Sequence, residues 1–223
     1  GWKVTRIPGA CASPSFRGRA LSPRANMGNL ESGAVVCGLA EGDQLTLNQA
    51  LHALLIKSAN DAAVAIAEHI GGSVEGFADM MNEEAQAIGA TNSHFVNPHG
   101  LNAENHYVTA YDMYLIFNEA LKYDTVNEII SMTSYDTVYT DKNGNEKTLS
   151  VKNTNQYLAG DVAAPDRVTV IGGKTGTTSA AGNCLILLAR DTSGNPYIAV
   201  ILKSAERGIL YTEMNALLKQ ATS

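Results

Sequence analysis

Lys174-Thr175-Gly176-Thr177 lies between a β-branched run, Arg167-Val168-Thr169-Val170-Ile171, and an apolar one, Cys184 to Ala189. An ammonium and two hydroxyls on a strand edge suit a carboxylate, and free backbone groups there suit an extended peptide added as a further strand. The glycines before the lysine, Gly172 and Gly173, are expected to let another backbone come close. A Thr177 N–H aimed at a peptide carbonyl would supply half of an oxyanion hole, a contribution of roughly 3 kcal/mol. Far upstream, Ser58-Ala59-Asn60 falls in a break between two apolar runs. A hydroxyl there can relay a proton to a leaving amine, and a carboxamide can orient a lysine while bonding an amide. The same tripeptide is also what a helix ending at Ser58 and a cap at Asn60 would look like. Lys-Thr-Gly arises by chance in roughly one chain in twenty of this size, and some Ser-x-Asn in about every second. Specificity therefore rests on the pair in this order, 116 residues apart. An activated nucleophile is absent from the pattern. None of the nine lysines has a serine three positions before it, so no Ser-Lys pair stands one helical turn apart.

Periodicity predicts the helices and strands that hold these residues. Leu47, Ala50, Leu51, Leu54 and Leu55 recur at three and four, predicting a helix from Leu45 to about Lys57 with Thr46 or Asn48 as cap. Asn60 and Asp61 offer a fresh cap for a buried helix over Ala62 to Ile70, ended by Gly71-Gly72. Ser73 opens a third helix with the stripe Phe77, Met80, Met81, Ala85 and Ile88, closed by Gly89. Residues 90–108 read as loop, with Asn97-Pro98-His99-Gly100 as a turn. Thr109 and Asp112 form a capping box for a helix to about Lys122, and a shorter helix covers Val126 to Met132. Two hairpins come next. Asp136–Thr140 pairs with Glu146–Val151 across an Asn-Gly turn, and Asn183–Arg190 with Tyr197–Leu202 across Thr192 to Pro196. An amphipathic helix closes the chain over Ile209 to Gln220. Helices in the middle and strands late give an α+β fold with an antiparallel sheet.

At 223 residues, 45% hydrophobic and 17% charged, the chain can bury a real core. The net charge is −6, but residues 1–30 hold five cations and no acid, leaving −11 on the remainder. An acidic body excludes a nucleic-acid surface. The basic start, with Pro8, Pro14 and Pro23, reads as an atypical leader over residues 1–21, ahead of one domain over 22–223. No run reaches the roughly 18 apolar residues of a membrane span, and no signal peptide or membrane anchor is read in the chain. Cys11, Cys37 and Cys184 are too widely spaced for a disulfide framework or a metal site. His94, His99 and His106 crowd one loop, yet their spacing fits no zinc pattern, so no metal is expected.

Four separated blocks carry a family resemblance: Leu54 to Ala63 around Ser58-Ala59-Asn60, His94 to Leu101, Gly173 to Thr177, and Ala180 to Leu185. Together they resemble the D-alanyl-D-alanine carboxypeptidases, the low-molecular-mass penicillin-binding proteins of serine peptidase family S11. The resemblance runs from about Ser22 or Gly33 to the C-terminus. It implies a β-lactamase/transpeptidase-like fold and a bacterial, extracytoplasmic enzyme of peptidoglycan maturation with no cofactor. Such an enzyme removes the terminal D-alanine of a stem pentapeptide through an acyl-enzyme, with β-lactams as substrate mimics. It implies Ser58, Asn60 and Lys174 as catalytic, and Lys174, Thr175, Gly176 and Thr177 as holding the substrate's terminal carboxylate. The family's nucleophilic serine and its lysine sit on a helix before the aligned region. The chain is accordingly expected to be N-terminally incomplete, to lack that helix and to be inactive as written.

Two other functions compete. A class A β-lactamase shares the motifs but needs a Glu-x-x-Leu-Asn loop, which does not occur. A non-catalytic module binding stem peptides or penicillin would need the carboxylate cradle without the acyl chemistry.

Overall fold

A computed structural model describes residues 20–23 and 30–221; Cys11 and nearly all of the expected leader lie outside them. Ala20–Leu21 (β1) pairs antiparallel with Leu45–Thr46 (β2). Thr46 then caps α1, Leu47–His52: its hydroxyl accepts the Gln49 N–H at 3.2 Å while the Gln49 side chain accepts the Thr46 N–H at 2.8 Å. The apolar period continues to Lys57, but the α-helix does not. Ala53–Lys57 forms a π-turn, and Ser58 leaves it in the left-handed region at φ 65°, ψ 35°.

The next helix, α2, is Asn60–Gly71 and starts two residues earlier than expected. Its cap position is Ala59, which makes no side-chain bond, so the expected capping by Asn60 or Asp61 does not occur. Both side chains serve residues 35–39, a segment with no strand to pair its backbone. Asn60 donates its N–H and its Nδ2 to the Val35 carbonyl at 2.8 and 2.9 Å. The Asp61 carboxylate, 2% exposed, accepts the N–H groups of Cys37, Gly38 and Leu39 at 2.8–3.0 Å. Buried backbone donors must find a partner, and a carboxylate at a helix N-terminus also meets the favourable end of the dipole.

Gly72, at φ 76°, turns the chain into α3, Val74–Ala87, which Ser73 caps through the Gly76 N–H. The loop after it is ordered by side chains. Asn82 both donates to the Phe95 carbonyl and accepts its N–H, and His94 and Tyr107 exchange backbone bonds. Thr109 caps α4, Ala110–Ala120, but Asp112 does not close the box. Its buried carboxylate instead accepts from the Asn92 N–H and the Ser93 hydroxyl, fastening the loop to the helix. A short α5 covers Asp124–Ile130.

The first hairpin is β3, Ser134–Thr140, with β4, Glu146–Lys152. After a one-turn α6, Gln156–Ala159, which local periodicity does not predict, comes an antiparallel sheet of β5 (Val168–Thr178), β6 (Gly182–Asp191) and β7 (Pro196–Ser204), in that order. The last helix, α7, is Arg207–Ala221. Gly172 and Gly173 do allow close backbone approach, but to the chain itself. A Cβ at Gly172 would stand 2.5 Å from the Ile130 carbonyl, and one at Gly173 2.2 Å from that of Ile186. Side chains from both faces of β6 are buried: Ile186 joins the main core with the helices and the β3–β4 hairpin, while Leu185 and Leu187 pack with Leu210, Met214 and Leu218 of α7. No described helix is long and apolar enough to cross a membrane.

Replacing Asp61 with alanine would strand three N–H groups, those of half-buried Cys37, exposed Gly38 and buried Leu39, at a cost of about 3 kcal/mol, or roughly 6–12 °C in Tm for a chain of this size. Thermal unfolding of Asp61→Ala measures this, and a drop under about 3 °C would show that the carboxylate does not organise the segment.

Candidate active site

Two walls enclose a cleft of about 420 Å³. The helical wall presents Lys57, Ser58 and Asn60 together with residues 31–35 and the His99–Asn102 turn; the sheet wall presents Thr154, Thr175 to Ser179 and Arg207. Folding thus brings Ser58, Asn60, Thr175, Gly176 and Thr177 to one place. Lys174 belongs to the same strand but is 4% exposed and is not on the cleft's lining.

Each side chain is set by its element. The π-turn and the left-handed Ser58 turn that hydroxyl into the cleft, where it makes no hydrogen bond to another described residue. Asn60 is held by its two bonds to the Val35 carbonyl. The loop from Asn97 is braced by its own side chain, which accepts the Gly100 N–H at 2.7 Å and donates to the Leu101 carbonyl at 3.0 Å. The Asn102 amide then crosses to the Ser179 hydroxyl at 2.9 Å, closing one end of the cleft.

On the sheet side, β5 is an edge strand: its outer side carries no paired strand among the described residues. Thr175 Oγ1 lies 2.5 Å from Thr154 Oγ1, so one of these two hydroxyls donates to the other. The Lys174 ammonium donates to the Thr175 carbonyl at 2.8 Å, and burial pulls its pKa down to about 7. The register Thr177↔Asn183↔Ser204 sets the end of β7 level with the end of the Lys-Thr-Gly strand, with β6 between them. Arg207, three residues on, therefore reaches the cleft as an exposed, permanent cation.

Sequence reasoning passes over Arg207, Lys57, Thr154 and Asn102. Arg207 escapes it because the apolar period of α7 starts at Ile209, and nothing in the local pattern ties it to a motif 33 residues away. The crowded histidines serve the loop: His94 Nδ1 lies 2.7 Å from the Asn105 carbonyl, while the Nδ1 atoms of His106 and His99 accept the Val96 and Leu101 N–H groups. Cys37 and Cys184 are unpaired, and burial beside Asp61 pushes the Cys37 thiol pKa up. A larger hollow of about 480 Å³, between Ala20 to Pro23 and Glu41 to Gln44, holds none of the motif residues.

Residues 20–206 match the family of D-alanyl-D-alanine carboxypeptidases, peptidase family S11. Among curated relatives, D-alanyl-D-alanine carboxypeptidase DacF of Bacillus subtilis is 37% identical over 182 residues, covering 79% of this chain and 43% of that protein. DacC of Escherichia coli is 33% identical over 187 residues, covering 83% and 43%. The chain thus spans under half the length of these relatives. The solved structure of the Streptomyces K15 DD-transpeptidase superposes with a TM-score of 0.81 at 26% identity, over 95% of this chain and 81% of that one. A D-alanyl-D-alanine carboxypeptidase from Mycobacterium tuberculosis shares the fold at a TM-score of 0.77. With a match over most of its length, and an α+β fold in common with the DD-peptidases, the chain belongs to the D-alanyl-D-alanine carboxypeptidase family.

Proposed function

We propose that this cleft receives the C-terminal end of a peptidoglycan stem peptide finishing in D-Ala-D-Ala, and that β-lactams enter as its mimics. What supports the reading is the convergence of Ser58, Asn60 and Thr175 to Thr177 on one cleft across 116 residues, in a chain of this family. The terminal carboxylate meets Arg207 and the hydroxyls of Thr175 and Thr177, a charge-assisted set at an open strand edge. The scissile amide lies toward the helical wall. There the Asn60 side chain, fixed by its bond to the Val35 carbonyl, lies against the substrate's amide, and Ser58 is the hydroxyl that can pass a proton to a leaving amine once a nucleophile attacks.

Lys174 acts from beneath. Its ammonium is bonded to the carbonyl of the residue whose hydroxyl faces substrate, and near neutral pH it is poised between its charged and uncharged forms. It thereby sets the potential of the carboxylate end without touching the cleft's surface.

Acyl transfer needs a nucleophile with a base in hydrogen-bond reach. The 223 residues contain no Ser-x-x-Lys, and the Ser58 hydroxyl has no base bonded to it among the described residues. These residues therefore supply the recognition and proton-relay half of the family's reaction, and binding without turnover is their own activity. The family's work on cell-wall peptides supports a site of action outside the cytoplasmic membrane.

Arg207→Ala is expected to weaken binding of a peptide ending in free D-Ala-D-Ala by about 1.5–3 kcal/mol in calorimetry, while the same peptide as a C-terminal amide loses little further. Equal losses for acid and amide would mean that Arg207 does not read the carboxylate. The lysine predicts a pH effect. Because its folded pKa of about 7 is below the ordinary 10.5, the unfolded chain holds more protons between those values and stability rises with pH across that window. Below about pH 7 the penalty of the buried charge is fully present. Lys174→Met should then stabilise the fold by a few kcal/mol at pH 6 and by much less at pH 10, as read by urea unfolding. A gain independent of pH would refute the depressed pKa. Finally, intact-mass spectrometry of the folded 223-residue chain after penicillin treatment is expected to show no added mass. A single penicillin adduct on any serine would overturn the separation of binding from chemistry.

A further inference from the structure

We propose that the cleft reads a second acidic group on its peptide, upstream of the terminal residue, and that Lys57 is the residue that reads it. The inference rests on the peptide-binding reading of the cleft and adds to it a preference among peptides.

The cleft carries two exposed or half-exposed cations, on opposite walls: Arg207 on the sheet side and Lys57 on the helical side. The ion pairs among the described residues, Lys122 with Glu119 and Lys147 with Asp43, involve neither of them. The one acid on the lining is Glu31. One terminal carboxylate satisfies one of the two cations, and the register of β5, β6 and β7 assigns it to Arg207 beside Thr177. Glu31 forms an ion pair with neither cation among the described residues, so a desolvating peptide that brings no counter-charge of its own would leave the other cation unpaired. Successive residues of an extended peptide on β5 advance about 3.3 Å each, so cations on different walls address different residues.

The backbone shows that Lys57 is aimed. Ala50, Ala53 and Leu54 lie seven, four and three residues before it, and all are at most 3% exposed. An unbroken α-helix would stack Lys57 over them and drive its ammonium toward the core. The π-turn over Ala53–Lys57 rotates it out of that register, and the left-handed Ser58 then ends the helix. The same distortion that presents the Ser58 hydroxyl therefore presents the lysine beside it. Both face a cleft whose cations stand out on a chain with net charge −6, an arrangement that attracts anionic ligands.

The test uses two peptides ending in D-Ala-D-Ala, identical except that one has a carboxylate side chain within the three residues before that pair and the other its amide. Calorimetry on the full 223-residue chain at about 50 and 300 mM salt is expected to give the acidic peptide about tenfold tighter binding at low salt, with the preference shrinking at high salt. Lys57→Gln is expected to erase the preference, and Lys57→Arg to keep it. The wild-type comparison decides by itself even where a variant folds poorly: no preference for the acidic peptide overturns the inference. A preference that survives Lys57→Gln in a folded variant reassigns it to another residue and equally overturns the role of Lys57. If neither peptide binds, the peptide-binding reading fails and this one with it, whereas two peptides bound equally tightly sink only the second carboxylate.

Discussion

The buried Asp61 carboxylate is the constraint on which the helical wall of the cleft depends. Residues 35–39 run through the structure with no strand partner, and three of their N–H groups converge on this one side chain. A buried carboxylate is costly unless its lone pairs are filled, and buried amides are costly unless they donate; each cancels the other's penalty. The consequence spreads along the chain in both directions. Asp61 fixes the segment against the first turn of α2, so that Val35 arrives where Asn60 can bond its carbonyl twice. Asn60 is then oriented by backbone, not by a mobile side chain, and the Ser58 turn two residues earlier is fixed relative to it.

The opposite wall owes its position to glycine. No side chain could occupy residues 172 and 173 without colliding with the Ile130 or Ile186 carbonyl, so β5 sits tight between the C-terminal end of α5 and its neighbour β6. Small residues before the lysine thus set the depth of the strand, which in turn sets how deeply Lys174 is buried. Depth decides its chemistry. At the surface it would be an ordinary ammonium; enclosed and bonded to the Thr175 carbonyl, it titrates near 7. The permanent positive charge on the sheet wall of the cleft is therefore that of Arg207, whose guanidinium does not titrate in any accessible range.

Much of this is legible in the sequence, because the signals are local. The hairpins around Asp141 to Asn145 and Thr192 to Pro196, the caps at Thr46, Ser73 and Thr109, and the α+β order all arise from spacing and turn chemistry within a few residues. The errors have one origin. Asn60, Asp61 and Asp112 read as helix caps because short polar side chains at a helix start usually bond the helix itself. Each serves a segment about 20 to 25 residues away in sequence, Asp61 while also accepting the Ala62 N–H of its own helix, and a one-dimensional pattern has no signal for that. The π-turn is hidden for a related reason: an extra residue in one turn leaves the apolar period nearly intact while rotating the residues beyond it. Arg207 is the extreme case, a cation whose role exists only once three strands are in register.

Ser58 brings the two scales together. A non-glycine residue in the left-handed region costs on the order of 1 kcal/mol or more, and glycine at this position would relieve it. Glycine, however, has no hydroxyl, and residue 58 would then offer the cleft only backbone. The strain lies where the helical wall brings the Ser58 hydroxyl to the cleft that the threonines of β5 also line, and such outliers persist where the surrounding structure over-determines them. Here the surroundings are identifiable: Ala59 donates its N–H back to Ala53, Asn60 is bound to Val35, and Asp61 grips residues 37–39. Three consecutive residues after the serine are thus anchored to three separate parts of the fold, which leaves the Ser58 backbone little choice of conformation and its side chain one direction to point.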